Sequence, residues 1–245
     1  WADYQRGFAA NESVDGVGDT WDAKLKGNFN QLKKLKLRNP NLKVLISLGG
    51  WTWSKNFSTF AKTDTSRKAL VKSCIDLYIK GDLPVAEGSG GVGAAKGIFD
   101  GIDIDWEYPT GGGLPTNSSS PEDKRNFTLL MAEFRAQLDA LAAANKRRYY
   151  LTAAVGSGVD KIRNTEPGPY SSYLDWVNIM SYDFHGGWEG TGPTNFQSNL
   201  YPDPANPATG DAKLYDVHDA VQGCNRTALQ AVVGIKKPQI FAPGR

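Results

Sequence analysis

Acidic and apolar side chains alternate in the segment of residues 100–107, which reads Asp-Gly-Ile-Asp-Ile-Asp-Trp-Glu. Successive side chains of a β-strand point to opposite faces, so Asp103, Asp105 and Glu107 would share one face. The other face would carry the apolar residues Ile102, Ile104 and Trp106. Because an apolar face of this kind packs against covering helices, we expect the acids to point into the interior of the fold. The pattern predicts a strand over residues 97–107.

Strand-like and helical patterns alternate along the rest of the chain. Short apolar runs predict strands at residues 43–48, 149–155 and 175–182, with a weaker candidate at 239–241. Apolar residues at helical spacing predict a helix from residue 25 to about 38, and two more at 65–80 and 120–146. Glycine-rich stretches predict loops at 88–93 and 111–120. This alternation is typical of βα units and a parallel sheet, in an α/β fold.

Length, composition and charge exclude several classes of protein. The chain has 245 residues, 40% of them hydrophobic and 22% charged, which is typical of a globular protein and not of a disordered one. No apolar run is long enough to span a membrane, and a net charge of +2 gives no reason to expect a nucleic-acid partner. We find no linker and predict one domain over residues 1–245. The two cysteines, Cys74 and Cys224, leave open whether they form a disulfide.

Three carboxyl groups in one column point to acid–base chemistry. Desolvation and like-charge crowding both raise the pKa of a carboxyl group, so at least one of the three should keep its proton near neutral pH. Glu107 is the candidate general acid, since it stands at the C-terminal end of the strand, where barrel enzymes place their active sites. The alternatives are a divalent-cation site or purely structural salt bridges. Three acids on one strand suit a cation poorly, and we predict no metal.

Three motifs carry a resemblance to a known family. Asp100, Asp103, Asp105 and Glu107 match the spacing D-x-x-D-x-D-x-E, residues 47–50 match S-x-G-G, and residues 180–183 match M-x-Y-D. In this order the motifs resemble those of family 18 glycoside hydrolases, the chitinase family, over residues 1 to about 217. The sequence is most similar to the secreted bacterial members.

The resemblance implies a fold and a reaction. The fold would be a (β/α)₈ TIM barrel, incomplete in this chain because its first two strands and its last strand are missing. The reaction would be hydrolysis of β-1,4-linked N-acetylglucosamine polymers with retention, through an oxazolinium ion formed by the substrate's own N-acetyl group. Glu107 would act as acid and then as base, and Asp105 would orient the acetamido N–H. Asp103 would share a proton with Asp105 and accept a hydrogen bond from Ser47.

The resemblance also implies a set of substrate-binding residues. Tyr182 would hold the acetamido oxygen, Asp183 would bind the distorted sugar, and Met180 would line the pocket floor or belong to the core. Trp51 and Trp188 follow two of the motifs and would either stack on sugars or pack. The remaining members of the predicted substrate-binding set are Ser47 and Gly50. Outside the site we expect a structural role for Asp100 and bystander roles for His185 and His218.

These expectations define a leading function and its alternatives. The partner would be chitin or N-acetylglucosamine oligosaccharides, without a cofactor, and the protein would be a secreted monomer. One alternative is an endo-β-N-acetylglucosaminidase that acts on N-glycans, since such enzymes share the acidic motif. A chitinase-like lectin would bind sugar without cleaving it, but such proteins usually lack the terminal acid that Glu107 supplies here. A partial chain could also be inert by itself.

Overall fold

The computed structural model describes residues 3–229 and 239–241. Five strands form one sheet in the order β1-β4-β5-β6-β7. They are β1 (Leu45–Gly49), β4 (Gly101–Asp105), β5 (Tyr150–Gly156), β6 (Trp176–Met180) and β7 (Gln239–Phe241). The two pairs β5–β6 and β6–β7 are parallel, and Gly156 at the end of β5 lies opposite Met180 at the end of β6. The predicted α/β fold with parallel strands is confirmed.

Seven α-helices connect or flank these strands in the described residues. They are α1 (Gly27–Arg38), α2 (Phe57–Ala61), α3 (Asp64–Cys74), α4 (Asp123–Asn145), α5 (Val159–Arg163), α6 (Pro167–Ser171) and α7 (Val217–Leu229). Two 3₁₀ turns cover Ala10–Glu12 and Gly210–Leu214. None of the described helices has both the length and the hydropathy that crossing a membrane requires.

Several predicted boundaries are wrong. The strand predicted over residues 97–107 is confined to Gly101–Asp105, because a turn that ends at Gly97 and bends at 98 and 100 precede it. The predicted loop 88–93 contains β3 (Ser89–Gly91), which pairs with β2 (Leu83–Ala86) in an antiparallel hairpin. The predicted helix 65–80 changes to π-helical geometry at Ile75–Lys80. The short helices α2, α5 and α6 and the longer α7 were not predicted. The weak strand candidate at 239–241 is present.

One compact unit comprises the chain up to Ile46, Ala69–Ile102 and Gln137–Tyr150. Its core includes Phe29 and Phe99, whose rings meet edge to face with centroids 5.2 Å apart. Asp100 is buried here and accepts hydrogen bonds from Lys36 Nζ, from an Arg147 guanidinium N–H and from the Val44 N–H. Asp100 therefore has the structural role that its position in the sequence predicted.

The second compact unit comprises Ser47–Lys68, Asp103–Ala136 and the chain from Leu151 onward. In its core the Trp106 ring stacks on Phe57, with centroids 5.4 Å apart, and packs at a tilt against Phe127, with centroids 6.1 Å apart. Phe127, Leu130 and Phe134 on α4 are fully buried, which explains the apolar stripe of that helix. The single domain over residues 1–245 remains a prediction. Cys74 and Cys224 are both free thiols.

Candidate active site

The carboxylates of β4 occupy the face that the alternation predicted. Ile102, Ile104 and Trp106 are buried, while Asp103 and Asp105, at the intervening positions, are half-buried. Glu107 continues the alternation but lies beyond the end of the strand at Asp105. The residue that we predict to be the acid is therefore held by loop contacts and not by the sheet.

Asp103 is fixed by side chains from three other strands. Its Oδ2 accepts a hydrogen bond of 2.7 Å from the Ser47 hydroxyl, as predicted. Its Oδ1 accepts hydrogen bonds from the Thr152 hydroxyl at 2.5 Å and from the Asn178 amide at 3.2 Å. Sequence reasoning missed Thr152 and Asn178. The available signal was a polar side chain inside each of two apolar strands, because buried polar groups need hydrogen-bond partners.

Asp105 lacks comparable donors. Its Oδ1 is buried without a hydrogen-bond partner. Burial, followed by the negative charges of Glu107 and Asp103, raises the pKa of Asp105 to about 7. The proton that we expected Asp103 to share with Asp105 stays a prediction.

Glu107 is 9% exposed, and both groups of its backbone are hydrogen-bonded. Its N–H donates to the Ser54 hydroxyl at 2.9 Å, and its carbonyl accepts from the Asn117 amide at 3.0 Å. Burial raises the pKa of the Glu107 carboxyl, the Tyr108 hydroxyl opposes this by hydrogen bonding, and the Asp183 charge adds to the increase. The carboxyl therefore retains its proton to a higher pH than an exposed glutamate would.

A cavity of about 600 Å³ brings six of the ten predicted site residues together. Glu107, Trp51 and Trp188 line it, together with the M-x-Y-D residues Met180, Tyr182 and Asp183. The other four predicted residues are not part of its described wall: Ser47, Gly50, Asp103 and Asp105. The Gly50 N–H instead donates to the Asp105 carbonyl at 2.7 Å, which is a structural contact.

Tyr182 stands on this wall as a phenol that retains its proton. Burial raises its pKa, and the carboxylates of Asp105, Glu107, Asp183 and Asp103 raise it further. Because the phenol is neutral at physiological pH, its hydroxyl is available as a hydrogen-bond donor to a bound molecule. Asp183 next to it has a left-handed backbone with φ of 56° and accepts a hydrogen bond from Gln197 at 2.8 Å.

Trp51 and Trp188 offer exposed rings on the cavity wall, with 47% and 65% of their surfaces accessible. Each ring thus has surface free to contact a bound molecule, and stacking on a sugar stays a prediction for both. A Cβ at Gly186 would lie 2.4 Å from the Trp188 ring, so only glycine lets the indole rest there. His185, expected to be a bystander, is buried and contacts Glu189 and Asn195.

Eight further residues of the cavity wall were not predicted, and among them Tyr108, Lys161 and Tyr215 form one connected group. The Lys161 ammonium lies 5.1 Å from the centre of the Tyr108 ring and forms an ion pair of 2.8 Å with Asp160. The Tyr215 hydroxyl donates to Asp160 at 2.7 Å. Only the position of Tyr108 directly after Glu107 could have indicated this group.

The site is suited to acid–base hydrolysis. Asp105 and Glu107, whose pKa values are raised, lie at and just beyond the C-terminal end of a strand in an α/β fold, and Tyr182 adds a neutral phenol. In the described residues, no group of three or more His, Cys, Asp or Glu side chains is arranged to hold a metal ion.

Comparison with known proteins identifies the family. Residues 6–236 match the family described as Glycosyl hydrolases family 18. The chain is 42% identical to Chitinase A1 of Niallia circulans and 43% identical to Chitinase C of Streptomyces lividans, over 91% and 82% of its length. It covers only 28% and 29% of those proteins. The chain belongs to family 18 of the glycosyl hydrolases.

A solved structure of the same kind agrees with this assignment. The catalytic domain of psychrophilic chitinase B from Arthrobacter TAD20 is 50% identical, with a TM-score of 0.88. The alignment covers 93% of this chain and 53% of that one. The chain thus has the TIM-barrel type of fold of family 18 catalytic domains.

Proposed function

We propose that this chain carries the catalytic residues of an enzyme that hydrolyses chitin, the β-1,4-linked polymer of N-acetylglucosamine. The observation that carries the proposal is the shared cavity of Glu107, whose pKa is raised, and Tyr182, whose hydroxyl is a neutral donor. The names of the two similar bacterial chitinases support the substrate.

Glu107 donates its proton to the glycosidic oxygen in the first step. The bond between that oxygen and the anomeric carbon breaks, and the leaving sugar departs as an alcohol. The acetamido carbonyl oxygen of the substrate attacks the anomeric carbon from the other face and forms an oxazolinium ion. A proton held to high pH by burial suits this step, because a general acid works best when its pKa lies near the working pH.

Asp105 and Tyr182 act on the acetamido group during this attack. The Asp105 carboxyl accepts from the acetamido N–H and stabilises the positive charge that grows there. Its Oδ1 has no internal donor, but the atom is buried and Asp105 is not on the described cavity wall, so the carboxyl has to turn toward the sugar to accept this bond. The Tyr182 hydroxyl holds the acetamido oxygen near the anomeric carbon. Asp103 keeps Asp105 in position by sharing a proton with it, and Ser47 fixes Asp103 through its hydrogen bond.

Water completes the reaction with overall retention of configuration. The Glu107 carboxylate removes a proton from a water molecule, the water oxygen attacks the anomeric carbon, and the oxazolinium ring opens. Two inversions at the same carbon restore the starting configuration. Asp183 and Met180 contact the sugar that undergoes the reaction, and the rings of Trp51 and Trp188 stack on neighbouring sugars. Gly50 contributes through the turn that it forms beside Asp105.

The test is the substitution Glu107→Gln in the intact protein, which keeps the shape of the side chain and removes the transferable proton. Turnover of N-acetylglucosamine oligomers should fall at least ~10²–10⁴-fold, while oligomer binding, measured by calorimetry, should persist. Glu122→Gln is the matched control, because it makes the same chemical change on an exposed side chain outside the cavity wall.

Timed product analysis on the same oligomers separates the alternatives. Retention of half the wild-type rate by Glu107→Gln would remove Glu107 from the acid role. A wild-type protein that binds oligomers without cleaving them would be a lectin. Preference for an N-glycan core would identify an endo-β-N-acetylglucosaminidase.

The setting of the enzyme follows from its substrate. Chitin is an insoluble polymer, so the enzyme would act outside the cell. We propose a secreted monomer that needs no cofactor, since the acid, the base and the nucleophile are supplied by Glu107 and the substrate itself. Light scattering of the intact protein in solution measures its molar mass and so tests whether it is a monomer.

A further inference from the structure

The backbone of Glu107 is held by side chains and not by a neighbouring strand. The strand β4 ends at Asp105, so the Glu107 N–H and carbonyl fall outside the strand. Each group is instead bound by one side chain from a different loop, Ser54 on one side and Asn117 on the other. The peptide groups on either side of the Glu107 Cα are thus fastened by two side chains.

Ser54 is fully buried and makes contacts in two directions. Its hydroxyl oxygen accepts the Glu107 N–H at 2.9 Å. The hydroxyl itself donates to the Gly50 carbonyl at 2.8 Å, and the Asp105 carbonyl is a second acceptor at 3.1 Å. Ser54 therefore ties the turn after β1 to the chain that follows β4.

The opposite side of the Glu107 peptide is shaped by the loop before α4. Asn117 Nδ2 donates to the Glu107 carbonyl at 3.0 Å. A Cβ at Gly113 would lie 2.1 Å from that carbonyl oxygen, so the loop can pass this close only with glycine there. The close approach places the Asn117 amide within reach of the carbonyl.

We propose that Ser54 and Asn117 are positioning residues for the reaction, and that together they clamp the Glu107 peptide so that its carboxyl stands at the glycosidic oxygen. The proposal rests on the acid role of Glu107 proposed above. Misplacement of a reacting group by 1 Å can cost about 10²-fold in rate, so loss of either contact should be visible in catalysis.

The test compares Ser54→Ala and Asn117→Ala on two substrates that differ in how much they need an acid. An N-acetylglucosamine oligomer has a sugar alcohol as its leaving group and needs protonation. A 4-nitrophenyl glycoside of the same sugar has a leaving group that departs with little protonation. We expect kcat/KM on the oligomer to fall roughly 10–100-fold and kcat/KM on the nitrophenyl substrate less than about 3-fold, with oligomer binding nearly unchanged. The ratio kcat/KM is the readout because it reports the step in which the leaving group departs, and not the later step in which Glu107 acts as a base on both substrates.

Ser118→Ala is the matched control. The Ser118 hydroxyl donates to the Lys55 carbonyl at 2.8 Å, so it joins the same two loops without contacting Glu107. This variant should keep the wild-type ratio of the two rates. Asn117→Asp should be worse than Asn117→Ala on the oligomer, because it sets a carboxylate against the Glu107 carbonyl. If Ser54→Ala does not fold, the two Asn117 variants decide the outcome.

The results separate failure of the clamp from failure of the proposed function. Equal losses on both substrates, or none on either, would overturn the clamp while Glu107→Gln remains inactive. A Glu107→Gln variant that remains active would overturn the acid role itself.

Discussion

At the scale of single residues, burial and charge decide what the three acids of β4 and its extension can do. Asp103 is satisfied by donors from Ser47, Thr152 and Asn178. Asp105 has an unpartnered oxygen and a pKa of about 7. The same residue type, two positions apart on one strand, therefore has different surroundings, and the raised pKa belongs to Asp105, whose Oδ1 has no internal donor.

The substitution Asp105→Asn tests the raised pKa of Asp105 through the pH dependence of the free energy of unfolding. The folded pKa of Asp105 is raised above its ordinary value of 3.8, so the wild type loses stability as the pH rises from about 4 through about 7. Asparagine cannot ionise, so the variant should gain roughly 2–4 kcal/mol relative to the wild type between pH 4 and pH 8. Urea unfolding across this range measures the effect. A constant difference at all pH values would contradict it.

At the scale of elements, the turn that ends β1 explains why the S-x-G-G motif contains glycines. Gly49 has φ of 114°, and a Cβ there would lie 2.1 Å from the Asp105 carbonyl oxygen and 2.7 Å from the Phe57 ring. Gly50 has φ of 85° and its N–H bonds to the same carbonyl. The motif lets the end of one strand lie against the end of another.

Gly49→Ala should therefore be severely destabilising. The methyl group meets backbone as well as a ring, and the positive φ adds strain, so we expect a loss of at least about 3 kcal/mol in the free energy of unfolding. Gly190→Ala is the control, since no atom lies within 4 Å of the Cβ it would add and its φ is not positive. Thermal and urea unfolding of both variants gives the comparison, and similar stabilities would refute the argument.

For the molecule as a unit, the pH dependence of folding combines two carboxyl groups whose pKa values shift in opposite directions, the buried Asp100 and the half-buried Asp105. Burial raises the pKa of Asp100, but hydrogen bonds from Lys36, the Val44 N–H and Arg147 outweigh it, so the pKa is lowered. Asp100 contributes stability above its ordinary pKa of 3.8 that is lost as the pH falls through the lower folded value. Asp105 acts in the opposite sense, so these two carboxyls favour folding most at mildly acidic pH.

Asp100→Asn should remove the loss of stability that the wild type shows at acidic pH through this carboxyl. At neutral pH it leaves two cations facing a neutral amide, and breaking a buried pair in this way costs about 3–5 kcal/mol. The deficit should shrink as the pH falls below about 4, because Asp100 takes up a proton in the unfolded wild type before it does so in the folded protein, and this favours unfolding. Chemical unfolding at pH 7 and pH 3 checks this, and a deficit that stays the same at both would be the contrary result.

Much of the fold could be predicted because its signals are local. The helix α4 and the strands β1, β5 and β6 lie within a few residues of the predicted ranges. The hairpin of β2 and β3 was missed because glycines at 88, 90 and 91 are typical of a loop, and only pairing with β2 makes Ser89–Gly91 a strand. The candidate site also was predictable only in part. The motifs indicated Glu107 and Tyr182, whereas no motif indicated Tyr108 and Lys161, which line the same cavity.

The amino-acid sequence alone determined the family motifs, the strand that carries the acids and the side of it on which they stand. These follow from a two-residue period and from fixed spacing, which require no knowledge of distant contacts. The tertiary structure alone decided which carboxyl is left without donors and how the Glu107 backbone is held. The reason is physical: the groups that settle both questions come from other strands and loops, such as Ser54, which is 53 residues away from Glu107 along the chain.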